Sequence, residues 1–227
     1  MRFDPPEPPR DEAELLARAR SVVGRTIGAL SADMGRPLAR EGARTKGKAG
    51  EVLERALGAS AGSTAQPDFP HLGVELKSIP VDETGKPRET TFVCAFDVAT
   101  ADTAEWVDSW ARRKLSCVLW IPVLRRDGEG LSEGVIESPV LWRPTLEQDA
   151  ILGADFDELM GIIGVGGIER LTARDGRWLQ VRPKAADGTP RAVAFGAEGE
   201  RIATVARGFY LRTSFTGAIL RDPGATP

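Results

Sequence analysis

The chain has 227 residues, 41% of them apolar, which is enough to fill the core of one large domain or two small lobes. No apolar run reaches the roughly 18 residues that cross a bilayer, and the start, MRFDPPEPPRDE, has neither the basic nor the apolar region of a signal peptide. A cytoplasmic location is the expectation, and a net charge of −3 with one histidine, His71, excludes a chain-wide basic coat and multi-histidine zinc sites.

In chain order, the proline-dense residues 1 to 10 read as a loose tail. From Asp11, DEAELLARARSVVG predicts a helix burying Leu15, Leu16, Ala19, Val22 and Val23, followed by a short helix through IGALSADMG. KGKAGEVLERALG predicts a third helix that buries Val52, Leu53, Ala56 and Leu57, is stopped by Gly58, and leaves Glu54 flanking the apolar face. The period then changes. GVELKSI reads as a strand ended by Pro80, and TTFVCAF and LSCVLWIPV read as strands buried on both faces, with Cys94 and Cys117 as buried free thiols. PTLEQDAILGADFDELMGIIG predicts a helix with Leu146, Ile151, Phe156, Leu159, Met160 and Ile163 inward. RLTARDGRWLQVRP carries an Asp-Gly turn into a strand, and GFYLRTSFTGAIL reads as a strand running into a last helix. The order predicts an α/β domain, a mixed central sheet flanked by helices, over residues 11–227, with two lobes around a cleft.

Chemistry concentrates in PDFPHLGVELKSIP, residues 67 to 80. Residues two apart on a strand share a face, so Glu75 and Lys77 point together, and the six-residue connection can return Asp68 beside them. Two carboxylates held that close repel unless a cation intervenes, and Mg²⁺ with oxygen ligands is the natural occupant. Lys77 can hold an attacking water and offset charge on a phosphodiester transition state, which needs no histidine. The same string also reads as a turn aspartate and a solvated strand face, and Glu54 as a plain surface residue. From Ile168 onward ten Lys/Arg stand against six Asp/Glu, which suits phosphate contact or base reading, or solvated surface arginines.

The blocks LGASAGS, DFPHLGVELKSIPVD, ETTFVC, RKLSCVLWIPV, SPVLW, ERLTARDGRWLQVRPKA and RGFYLRTSF, in this order, resemble the MutH family of mismatch-repair endonucleases from about Leu15 to Leu220. That family has the PD-(D/E)xK restriction-endonuclease-like fold. The resemblance implies a Mg²⁺-dependent nuclease, with Mn²⁺ as a substitute, that acts as a monomer. Its implied action is nicking the unmethylated strand of hemimethylated GATC DNA after activation by MutS and MutL. It places Asp68, Glu75 and Lys77 as the catalytic carboxylates and lysine, with Glu54 as a helix acid approaching the metal. Lys114 is placed as a further active-site lysine and Lys46 near DNA phosphate. Arg182 and Lys184 fall where guanine is read in the major groove, or where a strand end binds phosphate alone. Tyr210 falls beside the adenine that carries methylation. A partner-independent enzyme cutting both strands at GATC is the alternative. Two places depart from the family pattern: Glu198 in GAEGER, and the end RDPGATP, which stands where the family has a longer apolar tail coupled to its partner.

Overall fold

A computed structural model describes residues 6–38, 47–62, 66–172, 174–184, 192–196 and 198–227. In chain order the elements are α1 (Glu12–Ser21), α2 (Ile27–Asp33), α3 (Lys48–Leu57), β1 (Glu75–Val81), β2 (Thr91–Ala95), α4 (Trp110–Leu115) and β3 (Val118–Leu124). They continue with β4 (Val135–Ile136), β5 (Val140–Trp142), α5 (Leu146–Gly164), β6 (Leu179–Pro183), β7 (Ala192–Phe195), β8 (Arg201–Thr204), β9 (Arg207–Leu211) and α6 (Thr213–Arg221). The chain forms two compact units, residues 1–89 with 116–143 and residues 90–115 with 144–227. Among the described residues no helix is long and apolar enough to cross a membrane.

The first unit is built on β3, whose run VLWIPVL is buried on both faces as its unbroken apolar pattern predicts. β1 pairs parallel with β3, while β4 and β5 pair antiparallel with it, so the sheet is mixed. Leu119, Ile121 and Val123 of β3 and Leu76 of β1 meet Leu15, Leu30 and Leu53 from α1, α2 and α3 in one apolar cluster. Each such leucine, fully buried, stabilises the unit by roughly 1.5–3 kcal/mol relative to exposure. Asp11 caps α1 by accepting from Glu14 N, and Gly58, at φ +83°, ends α3 as expected. At the start of the chain Pro9 is buried, and the Glu7 carbonyl accepts from Arg18.

Two expectations fail in this unit. Val23 is exposed, because α1 has ended at Ser21 and the residue is no longer on the helical stripe. Pro80 lies inside β1 rather than ending it. β1 is an edge strand, and the Pro80 carbonyl on its outer side accepts from Arg88 N, so the N–H that proline lacks is on the edge away from β3.

The second unit centres on β9, flanked antiparallel by β2 and β6, with β7 and β8 as a separate two-stranded pair. Phe209 of β9 packs on Phe96 and Phe156, and Trp178 stacks on Phe215 with centroids 4.5 Å apart. Thr145 and Gln148 form a capping box at the start of α5. Leu146, expected in the core, is 93% exposed, since it occupies the first helical position, ahead of the turn that packs. Polar Gln148 and Asp155 are buried instead. The two cysteines are free and buried, as expected.

Candidate active site

The string around PD…ELK folds as a tight return. Phe69 and Val74, both fully buried, form an antiparallel bridge with Phe69 N donating to Val74 O at 2.9 Å. Between them Gly73 adopts φ +66°, a conformation that favours glycine. The turn brings Asp68 back to the start of β1, where its Oδ2 accepts from Leu76 N at 2.7 Å. Glu75, only 3% exposed, receives Lys77 Nζ on its Oε1 at 2.7 Å, so the two share a face as their spacing requires. Their register partners on β3 are the buried Val118 and Trp120, which lower the local dielectric around both charges. His71 stands in the turn, but its Nε2 lies 2.5 Å from the Pro9 carbonyl.

Helix α3 approaches β1 at a glycine: a Cβ on Gly50 would lie 3.5 Å from Glu54 Oε1 and 3.7 Å from Ser78 Oγ. Glu54 is half-buried there, and its carboxyl is pushed up to about 7, first by burial and then by the charges of Asp68 and Glu75, with Lys77 opposing. Because the folded state holds this proton more tightly than the unfolded chain, Glu54 costs stability progressively as pH rises from about 4.5 to about 7. In EDTA at pH 8, Glu54→Gln is therefore expected to be more stable than the parent by about 2 kcal/mol, a figure reduced for partial exposure. The gain should vanish near pH 4.5, as thermal unfolding at the two pH values would show.

Asp68, Glu75 and Glu54 supply hard carboxylate oxygens, and Lys77 opposes the repulsion that Asp68 and Glu75 exert on Glu54. That donor chemistry fits Mg²⁺ or Mn²⁺ and not a thiolate- or imidazole-seeking ion. Among the described residues no three Asp, Glu, His or Cys side chains form a finished metal cage. In this arrangement Asp68 is turned to Leu76 N and Glu75 to Lys77.

The second unit gathers three other residues singled out from the sequence. Arg182 and Lys184 alternate along β6 and its extension, both exposed. The Arg182 guanidinium lies 5.9 Å from the centroid of Tyr210, and Lys184 Nζ 5.6 Å from that of Phe92. Tyr210 and Phe92 pair in register across β9 and β2 and pack edge to face at 5.2 Å. Arg182 also donates to Thr90 Oγ1 at 2.9 Å. Tyr210 is 7% exposed, so this is a basic and aromatic patch with its tyrosine largely covered. Phe92 and Thr90 were not anticipated, because only the pairing of β2 with β9 brings them here. Lys114 sits on α4 with Nζ 5.3 Å from the Trp110 ring centroid. Lys46 lies outside the described residues.

Residues 57–155 match the family model described as DNA mismatch repair enzyme MutH. The DNA mismatch repair protein MutH of Serratia proteamaculans (strain 568) is 46% identical over 215 residues, covering 95% of this chain and 94% of that protein. The protein of the same name from Escherichia coli O6:K15:H31 is 49% identical over 213 residues, covering 94% of this chain and 93% of that one. With that identity over nearly the full length of both chains, the chain belongs to the MutH family of DNA mismatch repair endonucleases.

Proposed function

We propose that the chain nicks the unmethylated strand of hemimethylated GATC sites in DNA, using Mg²⁺, or Mn²⁺ in its place, held by Asp68, Glu75 and Glu54. The observation that carries this reading is the return of Asp68 onto the strand whose next residues present Glu75 and Lys77 on one buried face. When bound, the cation supplies an activated water and positive charge at the phosphate. Lys77 donates to the attacking water and offsets charge that builds on the phosphate, and its apolar surroundings strengthen both effects. Lys114 and Lys46 are read as further phosphate-binding lysines.

Sequence would be read by the basic patch of the second unit. Arg182 can bond guanine O6 and N7 together, and Lys184 can bond either one. Methylation at adenine N6 replaces a donor hydrogen with bulk, and Tyr210, confined between Phe92 and Arg182, has little room to yield to it. MutS and MutL are read as the activating partners, the enzyme as a monomer, and the cytoplasm as its location.

The test is nicking of unmethylated, hemimethylated and fully methylated GATC circles with Mg²⁺, MutL and ATP. Nicked circles on the first two and none on the third are expected. Linear product without any partner would establish the double-strand alternative, and intact hemimethylated DNA would end the nicking proposal.

A further inference from the structure

Helix α3 has a second working side. Gly50 and Glu54 face β1, whereas Lys48, Glu51, Val52 and Arg55 recur at helical spacing on the opposite face. Between that stripe and the end of α2 lies a solvent-open cavity of about 260 Å³. Arg36, Lys48 and Arg55 line it together with the apolar Met34, Leu38 and Val52. The one carboxylate among its described lining residues, Glu51, is engaged by Lys48 at 3.0 Å in an exposed pair of the kind that is worth little. Among the described residues the exposed Arg36 guanidinium meets no carboxylate.

The charge is local. Among the described residues that line the cavity, Arg36, Lys48 and Arg55 stand against Glu51, in a chain of net charge −3. The start of α3 adds to it, since Gly47 offers no side-chain cap and the first N–H groups carry the positive end of the helix dipole. Three cations crowded around one cavity call for an anion. The apolar lining calls for more than a hydrated ion: buried Met34 and Val52 suit the face of a sugar while the cations hold its phosphate.

We infer that this cavity seats one sugar-phosphate unit of the DNA backbone. The seat is roughly a helix diameter, 10–12 Å, from Glu54, so it takes a phosphate other than the one being cut. Bound DNA would then hold α3 from the side opposite its acid. This inference rests on the nuclease reading for the identity of the polymer.

The experiment is binding of fluorescent duplexes, with and without GATC, in Ca²⁺ over a range of salt. Arg36→Gln should weaken binding roughly 3- to 10-fold and reduce the salt slope by about 1, equally on both duplexes. Adding Lys48→Gln should reduce the slope again. Glu51→Gln should tighten binding about 3-fold, a change that a merely misfolded variant could not produce. Unchanged affinity and slope in all three variants would overturn the inference. So would a loss of orthophosphate binding in Arg36→Gln with DNA affinity intact, which would make the cavity a free-anion site. If the parent fails to prefer or nick GATC while the slopes shift as stated, the specificity reading falls and the backbone seat stands.

Discussion

Asp68→Asn is expected to nick GATC DNA at least ~10³-fold more slowly than the parent in single turnover with Mg²⁺, while binding the same duplex in Ca²⁺ within about 3-fold. The substitution isolates charge from architecture. Asp68 holds the entry to β1 by accepting from Leu76 N, and an asparagine oxygen can still accept that bond, without the charge that strengthens it. What it loses is a negative oxygen donor, the property a hard divalent cation requires. Stability should therefore change little while activity collapses. Activity within 10-fold of the parent would show that Asp68 is a turn residue and no metal ligand. Lys77→Met is a less clean companion, because Glu75 is nearly inaccessible and would be left as a buried charge without its ammonium.

The reason that much of this centre was legible in the sequence is that it is local. Asp68, Glu75 and Lys77 fall within ten residues, strand period alone puts two of them on one face, and a proline and a glycine mark the turn between them. Glu54 was placed by helix period, but its upward-shifted carboxyl needed α3 to be seen against β1. The patch around Arg182 was only half legible. Its two cations lie together in the sequence, whereas Phe92 and Tyr210 are more than a hundred residues apart and meet through the β2–β9 register. The same limit explains α5. Its apolar residues were readable, but nothing in the pattern marked Gln148 as buried, because the groups it serves, the carbonyls of Pro223 and Ala225, are some 75 residues away in sequence. Nor does period separate a helix end from its middle, which is why Leu146 and Val23 were assigned to the core and are exposed.

Asp155 shows most clearly what sequence pattern misses, and its replacement carries the largest stability loss we expect. The side chain is 4% exposed on α5 and, among the described residues, forms no salt bridge. It accepts from three consecutive backbone groups instead: Arg177 N at 2.6 Å on Oδ1, and Trp178 N at 2.6 Å and Leu179 N at 2.8 Å on Oδ2. The stretch it grips follows Gly176, where φ is +73° and an added Cβ would stand 2.0 Å from the Leu179 carbonyl. From the other side Arg212 donates to the carbonyls of Asp175 and Gly176. The carboxylate and the guanidinium thus satisfy opposite polarities of one turn and fix where β6 begins. In Asp155→Asn one oxygen becomes an NH₂ that faces backbone donors, so at least one charge-assisted bond is lost and a repulsive contact replaces it. The cost should be about 3 kcal/mol, seen as a fall in Tm of roughly 6–12 °C for a chain of this size. Because β6 carries Arg182, with Lys184 just past its end, discrimination between GATC duplexes and duplexes of other sequence should decline at temperatures well below that Tm. A variant that lost stability yet kept full discrimination would show that the turn supports folding alone. Retained stability would mean that the three amide bonds contribute little, contrary to what their burial and charge require.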